Sequence, residues 1–449
     1  MNNSEFIFNF FKKKGCSKVF SIVGGHALYL NAAQHKIFKK DVIYFHNEQS
    51  LSLAADSYSR ILKKPSIVCV TSGPAALNCL NGILGAFIDN IPLIVISGQP
   101  RNDICASSVH KGLRQYGDQE FSRISDVVKN IVKRSIKLTL KNDLELELSK
   151  FYQTAITGRP GPVWIDVPME VQKEKFVKKK NFFINKEINN AKDPEVTNTQ
   201  IDIVIDKILK SKRPIIYAGT DINTFNCRDD FIKLIHQLKI PVVTEWNNHD
   251  LNDGSNLFVG RPGLRGDRKG NIIVYKSDLI ISIGSNLSVR QVGDKPNKFS
   301  PNSFKIMINI DSVEKSKPNL EIDLFIKSRI DSFVLKLKNK TKRQFYLKSF
   351  SRWLKWCNNL KHQLKKYDIY IDRKKINPYN AINIIFKQLP KNKITVIGNG
   401  VSVVGSFQIA QIKKGDLMYQ NVGCASMGYD IPGAIGACFA NKKIKKKKK

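Results

Sequence analysis

Residues 41–60, DVIYFHNEQSLSLAADSYSR, decide how this chain folds. Val42, Ile43, Tyr44 and Phe45 form a short apolar run that reads as a strand, and Leu51, Ala54, Ala55 and Tyr58 then fall at helical spacing. Between them lies a polar tip, His46-Asn47-Glu48. A carboxylate at the C-terminal end of a strand is where α/β proteins place reactive groups. The plainer role for Glu48 is to cap the helix that follows.

Working outward, residues 66–99 read SIVCVTSGPAALNCLNGILGAFIDNIPLIVISGQ. The pattern predicts a strand over 67–71, a Gly73-Pro74 turn, a helix over 75–87 and a strand over 92–97. Pro74 suits a helix start, where its missing N–H costs nothing. The Ala- and Gly-rich helix can lie close to a neighbouring backbone. A Glu at a strand tip, then GPAALN, then DNIPLIVISGQ, together resemble the pyrimidine-binding domain of thiamine-diphosphate enzymes of the acetolactate synthase large-subunit type. GRPGPVWIDVPMEVQ (158–172) is similar to the segment closing that domain, and GCASMGYDIPGAIGA (423–437) to the opening of the diphosphate-binding domain. These anchors stand in the family's order along the chain.

Composition bounds the rest. The 449 residues allow two to four domains. No apolar run approaches the ~20 residues of a membrane span, and FIFNFF near the start is too short for a signal peptide. Eight cysteines and seven histidines show neither a CxxC pair nor metal-ligand spacing, which suggests reduced thiols in the cytoplasm. The net charge of +36 would ordinarily suggest nucleic acid. Here the excess is Lys spread along the chain beside many Asn, Ile and Phe, as an AT-rich genome would produce, and seven of the Lys stand in the last eight residues. The expectation is no nucleic-acid and no membrane partner.

The expected architecture is α/β, with three doubly wound parallel-sheet domains, the third incomplete: 1–172 pyrimidine-binding, 199–338 central and 377–449 diphosphate-binding. In the first, VFSIVGGHALYLNAA (19–33) gives a strand, a Gly24-Gly25 turn and a helix, and the paired glycines allow a ligand close to the backbone. The resemblance sets these glycines beside the cofactor's reactive ring, with His26 as a neighbouring polar contact. It adds Pro74 and Asn78 to the cofactor-binding residues, and Gln119 of the Gln119-Glu120 pair in the long loop after Gln99. Asp118 stands where the family's acetolactate synthases have Phe. The central domain shows RPIIYAG, PVVTE, DLIISIG and KIMINID as parallel strands. In the family it can hold FAD, and GLRGDRKGN (263–271) resembles a flavin segment, with Gly263, Arg265 (in place of His), Arg290 and Asp311 at matching positions. A basic helix carries Trp353, Trp356 and Leu360 at helical spacing, expected as core. In the third domain the resemblance gives Asn399, Gly400 and Met427 to the cofactor, with Val401-Ser402 replacing a Gln-His pair.

The family's Gly-Asp-Gly and its later Asn, which hold magnesium on the diphosphate, find no match before Lys442, so no metal ligands are assigned. The expectation is a truncated or frameshifted form of a longer enzyme. The implied function is a thiamine-diphosphate carboligase or decarboxylase acting on pyruvate or a similar 2-keto acid. Glu48 would be the catalytic acid, in a homodimer or tetramer with room for a regulatory subunit. The alternative is a catalytically inactive remnant or interaction subunit.

Overall fold

The computed structural model describes residues 1–110, 112–117, 123–179, 193–341, 349–364 and 375–447, without the side chains of 361–363 and 443–447. It divides into two compact units, 1–192 with 421–449, and 193–420.

The first unit is built on six parallel strands in the order β2-β1-β3-β4-β6-β5. They are β1 (Val19–Ser21), β2 (Val42–Tyr44), β3 (Ser66–Val70), β4 (Leu93–Gln99), β5 (Ser135–Lys137) and β6 (Val163–Pro168). Adjacent residues alternate between two buried faces. Val19, Ile67 and Ile94 join Phe8, Phe11, Leu30 and Phe151 on one side. Phe20, Val68 and Val95 join Leu51, Ala54, Tyr58 and Ile83 on the other. Both faces are covered by helices, which is why these strands read as continuous apolar runs. Each fully buried side chain of this size contributes about 1.5–3 kcal/mol.

The helix read as 75–87 is two helices, Pro74–Asn78 and Leu80–Ile88, joined at Cys79. The small residues serve as expected, since a side chain at Gly82 would strike Ser52 of the Glu48–Leu62 helix. The segment from Asn421 also docks on this helix. Tyr429 donates its hydroxyl to Asp56 at 2.6 Å, Ser57 donates to the Gly433 carbonyl at 2.5 Å, and Gly423 N–H donates to Asp89 at 2.9 Å. Arg60 holds both Asp56 and Asp89 from within, at 3.1 and 2.9 Å.

The second unit repeats the plan with parallel order β12-β11-β10-β7-β8-β9. The strands are β7 (Pro214–Ala218), β8 (Val242–Thr244), β9 (Phe258–Gly260), β10 (Leu279–Ile283), β11 (Phe304–Asn309) and β12 (Leu324–Lys327). A two-stranded sheet, β13 (Ile394–Val396) with β14 (Leu417–Tyr419), belongs to this unit. Of residues 377–449, 377–420 cluster with the central strands and 421–449 with the first sheet. Two strands are too few to enclose a core of their own. Trp353 and Leu360 are buried as expected, whereas Trp356 stacks on Trp353 at 5.0 Å with its outer side exposed. No disulfide joins any of the eight cysteines. Among the described residues no helix is long and apolar enough to cross a membrane.

Candidate active site

In the first sheet the chain steps from β1 to β2 on one side and returns to β3 on the other. The strand order reverses between β1 and β3, and ligands of open α/β sheets bind outside the strand ends at such a point. The segments following β1, β2 and β3 bring Gly24, Gly25, Glu48, Pro74 and Asn78 to this one edge.

Glu48 is the first residue of its helix, but it does not cap it. Asn47 does, accepting the Ser50 N–H at 2.9 Å. The half-buried Glu48 carboxylate is thereby released toward the crevice, where Oε2 accepts from Asn78 Nδ2 at 3.0 Å. Its Oε1 takes no hydrogen bond among the described residues. The thiol of Cys79 lies behind it, against the Glu48 carbonyl at 3.7 Å; burial first, and the Glu48 charge second, push this thiol well up from its ordinary range.

The two glycines divide their work. Gly24 faces Thr71, which a Cβ would meet at 2.5 Å, and its N–H donates to Asn31 Oδ1 at 3.2 Å. Gly25 has nothing within 4 Å of the corresponding position, so the open floor of the crevice lies there. His26 Nδ1 pairs with Ser72 Oγ at 2.6 Å, and its carbonyl accepts from Gln172 at 2.7 Å. The loops after β1 and β3 are thus tied together on either side of the switch point. Thr71, Ser72 and Gln172 escaped sequence reasoning because each acts through a partner distant in sequence.

An exposed acid oxygen beside open floor fits the ring-nitrogen end of an aminopyrimidine, because a carboxyl there can share a proton with the ring. The thiamine end of the expected cofactor therefore suits these residues. Met427 belongs to the same unit and is 74% exposed on the turn before the Asp430–Lys447 helix. Asn399 and Gly400 belong to the other unit, where Gly400 precedes the Val401–Ile409 helix and Asn399 Oδ1 accepts from Gln420 at 2.7 Å. Asp118, Gln119 and Glu120 lie outside the described residues. Among the described residues no three His, Cys, Asp or Glu side chains are placed to hold a metal ion.

The four residues expected at a flavin are held by separate local contacts. Gly263 and Arg290 meet, with the Leu264 N–H donating to the Arg290 carbonyl at 2.8 Å. Arg265 is exposed, its carbonyl accepting from Gln408 at 2.9 Å. Asp311 caps the Ser312–Ser316 turn, accepting the Val313 N–H at 3.1 Å.

Residues 1–123 match the model of the thiamine pyrophosphate enzyme N-terminal TPP binding domain, and residues 201–337 match that of the thiamine pyrophosphate enzyme central domain. The chain is 26% identical over 444 residues to the acetolactate synthase large subunit of Buchnera aphidicola from Schizaphis graminum, covering 98% of this chain and 75% of that protein. It is 27% identical over 440 residues to the acetolactate synthase large subunit of Lactococcus lactis, covering 98% and 74%. The same protein of Cyanidium caldarium is 27% identical over 447 residues, covering 96% and 73%. With two domains of one family in order and similarity along nearly its whole length, the chain belongs to the thiamine pyrophosphate enzymes of the acetolactate synthase large-subunit type.

Proposed function

We propose that the protein is a thiamine-diphosphate-dependent carboligase or decarboxylase acting on pyruvate or a similar 2-keto acid, as an acetolactate synthase does. The observation that carries this reading is the Glu48 carboxylate, uncapped and held by Asn78 at the switch point of the first sheet. When bound, thiamine diphosphate supplies an acidic carbon that adds to a keto carbonyl and an electron sink for the carbanion left by decarboxylation. Glu48 is the catalytic acid, holding a proton at its open oxygen for the pyrimidine ring nitrogen. Asn78 fixes the rotamer of that carboxyl, and Gly25 leaves room for the ring. The His26–Ser72 tie holds the wall.

Asn399, Gly400 and Met427 are assigned to the remainder of the cofactor; the magnesium that the family holds on its diphosphate has no ligands assigned in this chain. The family's shared pocket makes a homodimer or tetramer the working assembly, with a regulatory subunit as a further partner. Calorimetry with thiamine diphosphate and Mg²⁺, followed by a pyruvate-consumption assay, tests the reading. Metal-dependent binding and turnover are expected. No binding at cofactor concentrations that saturate acetolactate synthases would overturn it, in favour of a non-catalytic interaction subunit.

A further inference from the structure

The second sheet reverses its order between β7 and β10, so its own crevice should lie there. A dinucleotide in such a crevice needs a glycine turn it can approach and a free N–H at the start of the next helix for its phosphates. Neither is available at this crevice. Gly219, directly after β7, abuts the loop after β10: a Cβ there would stand 2.1 Å from the Gly284 carbonyl oxygen. Gly219 N–H donates to Ile283 at 2.9 Å and Asp221 N–H to Gly284 at 3.1 Å, which closes the two loops on each other.

The next N–H in line, that of Thr220, already holds an anion. Glu245, at the tip of β8 and only 8% exposed, accepts it on Oε2 at 3.1 Å. Its Oε1 accepts from Gln291 Nε2 at 2.6 Å, and Ser288 Oγ donates to the Oε1 of that glutamine. Asn248, fully buried, donates to the Gly219 carbonyl at 2.8 Å and accepts from Asn223 at 2.7 Å. Buried Asp221 adds a second carboxyl to the same rim. Burial and the nearby Glu245 together push the Tyr217 hydroxyl well above its ordinary range. Beside Gly263 lies a cavity of about 250 Å³, lined by Leu264, Asn271, Tyr275, Gln291 and Lys298 among others. Pockets for drug-sized ligands run to about 300–1,000 Å³, and a dinucleotide is larger than most such ligands.

The geometry points to a central domain whose dinucleotide crevice is filled from within: Glu245 occupies the anion position, and this chain takes no FAD. A phosphate entering there would have to displace a carboxylate hydrogen-bonded on both oxygens and face Asp221 as well.

The test uses the full chain, in a preparation that melts cooperatively, titrated with FAD and followed by flavin fluorescence and by retention of visible absorbance after desalting. No retained flavin is expected. Stoichiometric flavin on the unaltered chain would overturn the inference, whatever the variants do. Glu245→Ala vacates the Thr220 N–H, and inorganic pyrophosphate should then bind about tenfold or more tightly than to the unaltered chain, as a freed charge-assisted site would allow. Equal pyrophosphate affinity in the two proteins would overturn the assignment of Glu245 as the internal anion.

Discussion

Glu48 and Glu245 stand at matching places in two similar sheets. β2 lies beside β1 as β8 lies beside β7, and in each sheet the order reverses on the far side of the first strand. Each acid follows the second strand of its sheet. Glu48 is half-buried with one amide partner, whereas Glu245 is buried with a donor on each oxygen. The chain length between strand and acid makes the difference. Three residues separate Tyr44 from Glu48, so Asn47 can take the cap and Glu48 can project over the edge. Glu245 follows Thr244 directly and is held among the loops. One topology yields a reactive acid where the acid is left under-coordinated and a structural acid where the protein satisfies it.

The largest effect that would break this contrast concerns Glu48→Gln. Loss of a positioned proton-transfer group costs about 10²–10⁴-fold in rate, and turnover of pyruvate should fall by that amount. The thermal midpoint should hardly move, because the carboxylate is half in solvent with a single partner. Full turnover in the variant would remove Glu48 from the chemistry and leave the two acids functionally alike.

A third acid sharpens the comparison, since Asp166 shares the sheet of Glu48 but is fully buried. Burial raises its pKa to about 7, against the opposing pull of the Ser97 hydrogen bond, Lys137 and Gln99. Ser97 Oγ donates to its Oδ1 at 2.5 Å, while Oδ2 has no partner among the described residues. The folded chain therefore holds a proton that the unfolded chain releases at ordinary carboxylate pH. Stability should fall as pH rises from about 4 to 7, with a slope of up to about 1.4 kcal/mol per pH unit from this group. Asp166→Asn should flatten that slope and stabilise the chain above pH ~7, but not below pH ~4. Urea denaturation at several pH values reads it, and an unchanged slope would mean that Asp166 is ionised in place.

Glu245→Ala should act in the opposite sense to Glu48→Gln. It leaves the Thr220 N–H and the Gln291 amide without their acceptor, which costs about 1–3 kcal/mol, read as a lower denaturation midpoint. Pyruvate turnover per folded molecule should be unchanged. Added pyrophosphate should restore part of the lost stability by mass action. A loss of turnover with no loss of stability would reverse the roles given to the two acids.

Much of this contrast was legible in residue order, because it rests on local pattern. Apolar runs such as IVCV and LIVIS marked the strands, and the polar tip after residue 45 marked the edge where Glu48 stands. What stayed hidden depends on partners far along the chain. Residue order gave the cap to Glu48, whereas Asn47 takes it and the Asn78 amide, thirty positions away, holds Glu48 at the crevice. In PVVTE, Glu245 read as nothing more than a strand end, since Thr220 and Gln291 meet it through the sheet rather than the sequence. The split of 377–449 was equally invisible. A Tyr and two Gly in a glycine-rich stretch do not reveal that Asp56, Ser57 and Asp89 wait for them.

The smallest expected effect isolates what holds Glu48 in readiness. Asn78 contributes a single amide hydrogen bond from the end of the Pro74–Asn78 helix, at an exposed position where water can replace it. Asn78→Ala should therefore cost well under the ~1 kcal/mol of an average buried hydrogen bond in stability. Its effect should appear in turnover, at roughly three- to tenfold, as expected when about 0.6–1.4 kcal/mol of orientation is lost from the proton-holding group. Asn78→Asp separates orientation from charge. It keeps the shape but sets a second carboxylate against Glu48, so the falling, high-pH limb of the pH–rate profile should move upward as the like charges resist joint ionisation. A fall in rate for Asn78→Ala, with that upward displacement for Asn78→Asp, would place the amide as the positioning group. An undisplaced profile would mean that Asn78 supports the helix end alone, and that the β2 tip by itself presents the acid.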